Sequence, residues 1–435
     1  MVLETHGQPR AAVSCDVLIV GGSIAGNFLA SLLAGRGFSI HVIEAHSIIG
    51  LPMKCAGIVS SKILKLMAIP DDVILNRIAE AHIFSKESGK SHVTIRIKDR
   101  PVVLDRVRFD QHFMDLATTR GASYHLGERV TGIVNQQDSI LVHATKGDYV
   151  AKVLVGCDGA HSIVARHCGI VHDFITGKQA IIVPASALGT IDVDRSSCEL
   201  HFDPSWNDLF AWVIPAGDAT ARVGLAARAG VASRFTTFVT RRFGSTLEDA
   251  WHRGTINKPA FTGGTIPIGL PARCAFDRIL LVGDSACQVK ASTGGGIVML
   301  AIAARAAARA ILQALVKEKF SRRFFTTRYQ APFLKQALAS LRMHMAIHAA
   351  IKHFSSKDFA ALFSIANRPF IKKELARTAD MDFPVKFIMR ILGEPSFYGW
   401  LLRFMLRDPR IFHDVLAPFL ARVPLDASKK RSKDK

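Results

Sequence analysis

The chain has no closely spaced pair of cysteines. Its seven, at positions 15, 55, 157, 168, 198, 274 and 287, include no CxxC and are odd in number. That pattern argues against a tetrahedral zinc site and against a disulfide-stapled scaffold, so no metal site is expected and a reducing compartment is. Carboxylates are the scarce charge. Aspartate and glutamate number 36 against 56 lysines and arginines, a formal net charge of +20. Such an excess suits nucleic acid, an anionic membrane surface or an acidic substrate. No helix-turn-helix, zinc-finger or RNA-binding signature supports the first, and no nucleic-acid partner is expected. The opening MVLETHGQPRAAVSC lacks the apolar core of a signal peptide. Long uninterrupted apolar runs are also missing. The most apolar stretch, GGGIVMLAIAARAAARAILQALV, carries Arg305 and Arg309 in its interior and reads as a core helix, not a membrane span. A cytoplasmic protein is expected, soluble or attached peripherally to the inner face of the cell membrane.

What is present is globular composition. Apolar residues make up 49% and charged residues 21% of 435, room for one composite domain or two to three ordinary ones. DVLIV (16–20) is a buried-strand pattern, GGSIAG turns into the helix NFLASLLAGRG, and SIHVIE is a second strand ending at Glu44. A strand–turn–helix–strand unit of this length is the geometry that binds a dinucleotide. In GGSIAG, Gly21 permits the tight turn and Gly26 lets the helix approach the strand, so that amides around Ser23 and Ala25 can face a pyrophosphate. Ser23 replaces the second glycine of G-x-G-x-x-G and weakens the pattern match. Glu44 lies where a carboxylate would bind a ribose hydroxyl. Taken alone, the turn also fits any strand–glycine–helix junction.

The order of patterns implies an α/β composite with a discontinuous Rossmann-like nucleotide domain at 1–78, 106–172 and 273–321. An inserted antiparallel substrate sheet is expected from strands at 79–105 and from 173–272. A helical C-terminal region with a lysine-rich tail, KKRSKDK, is expected at 322–435.

Three later stretches follow in an order that a plain NAD enzyme does not need: LDRVRFDQHFMDLA, VGCDGAHSIVAR and RILLVGDSACQVKASTGGGIVMLA. Together they resemble the FAD-dependent reductases and hydroxylases with the para-hydroxybenzoate-hydroxylase-like fold. The resemblance implies FAD as cofactor, with Arg106 beside the flavin, Asp158 and Gly159 supporting the nucleotide end, and Val130 also at the cofactor. It implies that Asp284 bonds the ribityl chain, and that Gly294, Gly295 and Gly296, with Ile297 opening a helix, reach the pyrimidine edge. A helix N-terminus there suits the charge that forms on reduction. On their own, Asp158 reads as a turn residue and Asp284 equally as a helix cap.

Within that group PMKCAG resembles the P-x-x-C-x-G motif of the geranylgeranyl reductase family, which implies that Cys55, Ala56 and Gly57 face the flavin. FAWVIPAGDATARVGLAA is similar to that family's Y-x-W-x-F-P motif followed by a glycine-bearing strand, with Phe210 in place of tyrosine and Ile214 in place of phenylalanine. The likeness covers roughly residues 15–320. It implies reduction of prenyl-chain double bonds, with archaeal ether lipids or their precursors as substrates and Phe210, Trp212 and Pro215 lining an apolar tunnel. The electron donor, ferredoxin or NAD(P)H, stays open. Cys55 is the candidate catalytic residue, as proton donor or in steering flavin reactivity, with a packing role as the alternative. Ile214 also matches the W-x-W-x-I-P signature of flavin-dependent halogenases, so a monooxygenase or halogenase is the second reading and a non-catalytic FAD- or lipid-binding protein the third. The C-terminal FPVKFIMRILGEPSFYGWLLRFMLRDPRIF mixes basic, aromatic and aliphatic residues at helical spacing. It suits either a helical cap on the core or contact with an anionic membrane.

Overall fold

The computed structural model describes residues 12–86, 92–185, 192–217, 219–271, 273–421 and 423. The lysine-rich tail lies outside the described residues. The first sheet has seven strands, in the order Ser123–Leu126, Ile40–Glu44, Val13–Val20, Asp148–Gly156, Ile140–Ala144 and Val130–Asn135, with Ile279–Leu281 also paired to Asp148–Gly156. Val13–Val20 is parallel to both of its neighbours. Its buried part, Val17–Val20, reads as a continuous apolar run and not an alternating one, as suits a parallel strand in the sheet interior. One face carries helix α1 (Ile24–Leu33), helix α2 (Arg106–Thr119) and the alanine-rich helix α3 (Ile297–Lys317) in one apolar core. Helix α3 is long and apolar enough to cross a membrane, yet most of it is buried in the protein. Its alanines, several fully buried, let it pack closely against α1.

The second sheet also has seven strands, in the order Ala260–Ile268, Asp173–Ile182, Ala221–Ala227, Ala211–Pro215, Ser197–Phe202, Glu80–Ser85 and His92–Arg96. Period-two alternation sorts its side chains. Ala180, Val213, Val223 and Leu225 pack on the helices Val231–Phe243 and Leu247–His252. Cys198, Trp212, Ile214 and Ala226 fall in a separate cluster on the opposite face. Two details depart from the sequence expectation of a uniformly antiparallel sheet built from 79–105 and 173–272. Ser197–Phe202 and Glu80–Ser85 pair in parallel, because they are far apart in the chain and no hairpin joins them. Val102–Leu104 leaves this sheet and forms a three-stranded one with Ile58–Val59 and Ile74–Arg77. All three of its residues are fully buried, which suits a short core strand better than a one-sided one.

The C-terminal region is helical, led by helix α4 (Ala331–Lys352) and followed by five shorter helices from Ser356 to Leu420. It packs back towards the gap between the two sheets.

Candidate cofactor and substrate cavity

The turn after Val20 is shaped by contacts that leave no room for a side chain. Gly21 has φ +103°, and a Cβ there would stand 2.4 Å from the Cys157 carbonyl oxygen. A Cβ on Gly26 would stand 1.9 Å from the Gly21 carbonyl oxygen. Ser23 occupies the N-cap of α1 without capping it. Its hydroxyl instead donates to Asp110 Oδ2 at 2.9 Å, so the first-turn amides of α1 keep their free, partly positive ends. Asp110 also accepts from the buried Arg106 guanidinium at 2.9 Å, and Asn27 Nδ2 donates to the Gly22 and Asp110 carbonyls at 2.7 and 2.9 Å. Glu44 closes this end. Its carboxylate accepts from the Gly22 and His46 amides, at 2.7 and 2.8 Å.

The Pro52–Gly57 loop lines the same cavity. Gly57 is left-handed at φ +76°, and its amide donates to the Cys55 sulfur at 3.4 Å. Two buried arginines lie against this loop: a Cβ on Gly57 would stand 2.2 Å from Arg222 Nη1 and 3.3 Å from Arg106 Cγ. For Arg106, burial opposes the charge, but Asp110 and the Cys55 sulfur more than offset this and hold it above its usual pKa. Burial pushes Arg222 below its usual value, with Cys55 opposing and Arg106 adding to the effect. Arg222 donates to the Ala56 and Leu104 carbonyls at 2.7 and 3.0 Å, which ties the cysteine loop to the second sheet. Sequence reading missed Arg222, because an arginine inside a strand carries no local signal of where its head group goes.

Further along, Asp284 lies in a single helical turn after Ile279–Leu281. Burial pushes its carboxyl up to about 6, with Arg106 pulling the other way. Among the described residues its carboxylate accepts no hydrogen bond. The glycines at 294–296 then lead into α3, whose N-cap, Gly296, supplies no side-chain cap. A second free helix N-terminus therefore points at the cavity.

The cavity measures about 1010 Å³. Gly21, Ser23, Ala25, Glu44, Cys55, Ala56, Gly57, Arg106, Val130, Asp158, Gly159, Asp284, Gly294, Gly295, Gly296 and Ile297 all line it. Gly26 sits one layer below, under Gly21. Asp158 reaches the wall, but its carboxylate accepts from Ser162 Oγ at 2.5 Å and the Ile163 amide at 2.7 Å, so it caps the short helix Ile163–His167. On the second sheet Phe210 and Trp212 line the cavity. The Trp212 indole lies over Gly224 on the next strand, where a Cβ would stand 2.2 Å from the ring, and its Nε1 donates to Gln179 at 3.1 Å. Pro215 does not line it. Three residues beyond Trp212, it falls on the opposite face, and its carbonyl accepts from Asn76 at 3.2 Å.

One wall has no counterpart in the sequence reading. Leu375, Ala376, Asp380, Met381, Pro384 and Phe387, from the C-terminal region, line the cavity beside the glycine loop. They are anchored by ion pairs of Asp380 with Lys62 and of Asp382 with Lys290.

These features fit an elongated dinucleotide carrying a planar ring. Two uncapped helix N-termini suit phosphate and a ring that gains negative charge, Glu44 and the unpartnered Asp284 suit hydroxyl donors, and the apolar sheet face suits a ring or chain. Comparison with known proteins agrees. Residues 14–319 match the FAD binding domain family. Digeranylgeranylglycerophospholipid reductase 2 of Methanothermobacter thermautotrophicus is 27% identical over 409 residues, spanning 90% of this chain and 99% of that protein. A geranylgeranyl bacteriochlorophyll reductase-like protein of Thermoplasma acidophilum has a similar crystal structure, with TM-score 0.75, 20% identity and 91% and 100% coverage of the two chains. The p-nitrophenol 4-monooxygenase of Pseudomonas putida shares the fold at TM-score 0.63 and 17% identity, covering 84% of this chain and 97% of that one. The chain belongs to the FAD binding domain family, within the para-hydroxybenzoate-hydroxylase-like flavoproteins, and is an FAD-dependent oxidoreductase.

Proposed function

We propose that this oxidoreductase saturates carbon–carbon double bonds of geranylgeranyl chains in archaeal-type ether lipids or their precursors. The observation that carries the reading is the joining of two features in one cavity. The Pro-x-x-Cys-x-Gly loop, set on Arg106 and Arg222, faces the same space as an apolar sheet wall bearing Phe210 and Trp212. The names of the reductase relatives point the same way.

Bound FAD, once reduced by an external donor (ferredoxin or NAD(P)H), would supply the hydride that adds to one alkene carbon. The protein's share is positioning and protonation. An isolated alkene has no carbonyl to polarise, so much of the rate must come from holding the chain in register, which the Trp212–Gly224 stack and the aliphatic sheet face are built to do. The C-terminal wall covers part of the cavity and would limit the access of water to it. Cys55 is our proposed proton source for the second carbon, because the negative charge left on sulfur would interact favourably with the Arg106 and Arg222 guanidinium groups.

Anaerobic incubation of the reduced enzyme with a geranylgeranyl lipid should add two hydrogens per bond, read by mass spectrometry. An oxygenated product formed only in air, with no hydrogen gain, would replace this reading with the monooxygenase one. Cys55→Ala should lower the reduction rate by roughly 10²-fold or more with FAD retained, and Cys55→Ser by less. Full activity in both variants leaves the thiol a packing role.

Peripheral membrane contact belongs to the same proposal. The C-terminal helices expose Phe370, Met389, Leu402, Leu406, Phe412 and Leu420, and also Lys372, Lys373, Lys386 and Arg390. Apolar side chains beside cations suit an anionic bilayer. The protein should float with anionic vesicles at low salt and stay behind with neutral ones, and Leu406→Glu should weaken flotation. No flotation at low salt rules the contact out.

A further inference from the structure

The wall at 375–387 sets a buried ion pair against the glycine loop. Lys290 is 4% exposed and Asp382 is 0% exposed. Lys290 Nζ lies 2.6 Å from Asp382 Oδ1 and donates to the Met381 carbonyl at 3.1 Å. The same ammonium would stand 3.1 Å from a Cβ on Gly295, so it rests on the loop that opens α3. Lys290 lines the cavity and Asp382 does not. The pair is therefore a dipole whose positive end faces the cavity. Of its other neighbours, Asp380 accepts from the Asp382 amide at 2.9 Å and is itself paired with Lys62, so that charge is balanced. His344 contacts Ser292 at 2.6 Å and the Asp382 carbonyl at 3.2 Å, and burial, then Lys290, push its pKa to about 4, so it is neutral near pH 7. Among the described residues Asp382 Oδ2 has no hydrogen-bond partner. Burying such a pair costs desolvation that an apolar pair would avoid, so stability alone does not account for it.

The ends of the cavity tell which part of the cofactor meets this dipole. Glu44 and the α1 turn hold the nucleotide half, Asp284 lies between, and the ring end remains for the α3 loop and the Trp212 sheet. We infer that Lys290, backed by Asp382, raises the reduction potential of FAD by presenting a fixed positive charge to the ring end, where two-electron reduction adds negative charge. This rests on the cofactor and not on the prenyl substrate, so failure of either reading leaves the other standing.

The test measures the potential of the full-length, FAD-loaded protein by equilibration with reference dyes, with no lipid present. The double variant Lys290→Met/Asp382→Leu removes the dipole without stranding a buried charge. It should favour oxidised FAD by about tenfold or more, which is a potential lower by about 30 mV for a two-electron couple. Asp382→Asn leaves the cation unopposed and should raise the potential, and Lys290→Arg should stay near the parent value. A purely structural role predicts no change in the double variant once FAD is bound, and that result, or a shift upward, overturns the inference. Should the double variant fail to hold FAD, Asp382→Asn decides: a raised potential supports the assignment, and an unchanged or lowered one overturns it.

Discussion

Replacing Gly26 with alanine should give a colourless protein, less stable by ~3 kcal/mol or more. The new Cβ would stand 1.9 Å from the Gly21 carbonyl oxygen and 3.2 Å from Ile19 Cγ2. The first contact is with backbone, so no rotamer change relieves it. Helix α1 must lift from the Val13–Val20 strand, and its first-turn amides lose their aim at the phosphate site. The better helix propensity of alanine, about 1 kcal/mol, is too small to compensate. Urea unfolding and the flavin absorbance of the purified protein read the two effects. Gly147 is the control: nothing lies within 4 Å of its Cβ position, and alanine there should change neither reading.

Arg106→Leu should cost about 3–5 kcal/mol and weaken FAD binding roughly tenfold or more, because it strands the carboxylate of Asp110. Asp110 is 3% exposed and takes two nitrogens of Arg106, at 2.9 and 3.3 Å. Through the Ser23 hydroxyl and the Asn27 amide it also holds the start of α1 to α2. The double variant Arg106→Leu/Asp110→Leu separates the two costs. With both charges gone, thermal stability should return most of the way, whereas FAD affinity should not, since Arg106 itself lines the cavity. Recovery of both by the double variant would show that Arg106 serves Asp110 alone.

The parts of the site legible in the sequence are those made by neighbours in the chain. A strand, two steric glycines and a helix start within a dozen residues, so GGSIAG announces its own geometry, as do the glycines at 294–296. Ser23 looked like a defect in that turn. In place, its hydroxyl turns to Asp110 and leaves the helix amides free. Asp158 shows the opposite error of emphasis, since its carboxylate is consumed in capping Ile163–His167. Trp212 and Pro215 stood together in one motif, yet only the burial of one sheet face decides which of them meets the cavity.

By itself the amino-acid sequence determined an α/β protein with a dinucleotide-binding turn, and its later motifs pointed to FAD through their resemblance to a known flavoprotein group. The turn and the strands are legible because local backbone sterics and periodicity act over a few residues. Only the tertiary structure decided what surrounds the cavity: Arg222 reaching Ala56 from 166 residues away, Lys290 paired with Asp382 across 92, and a C-terminal wall beside the glycine loop. Ion pairs and buried hydrogen bonds between distant segments leave no pattern in the intervening chain, because each needs only one residue of the right charge at either end, and folding alone brings the two together.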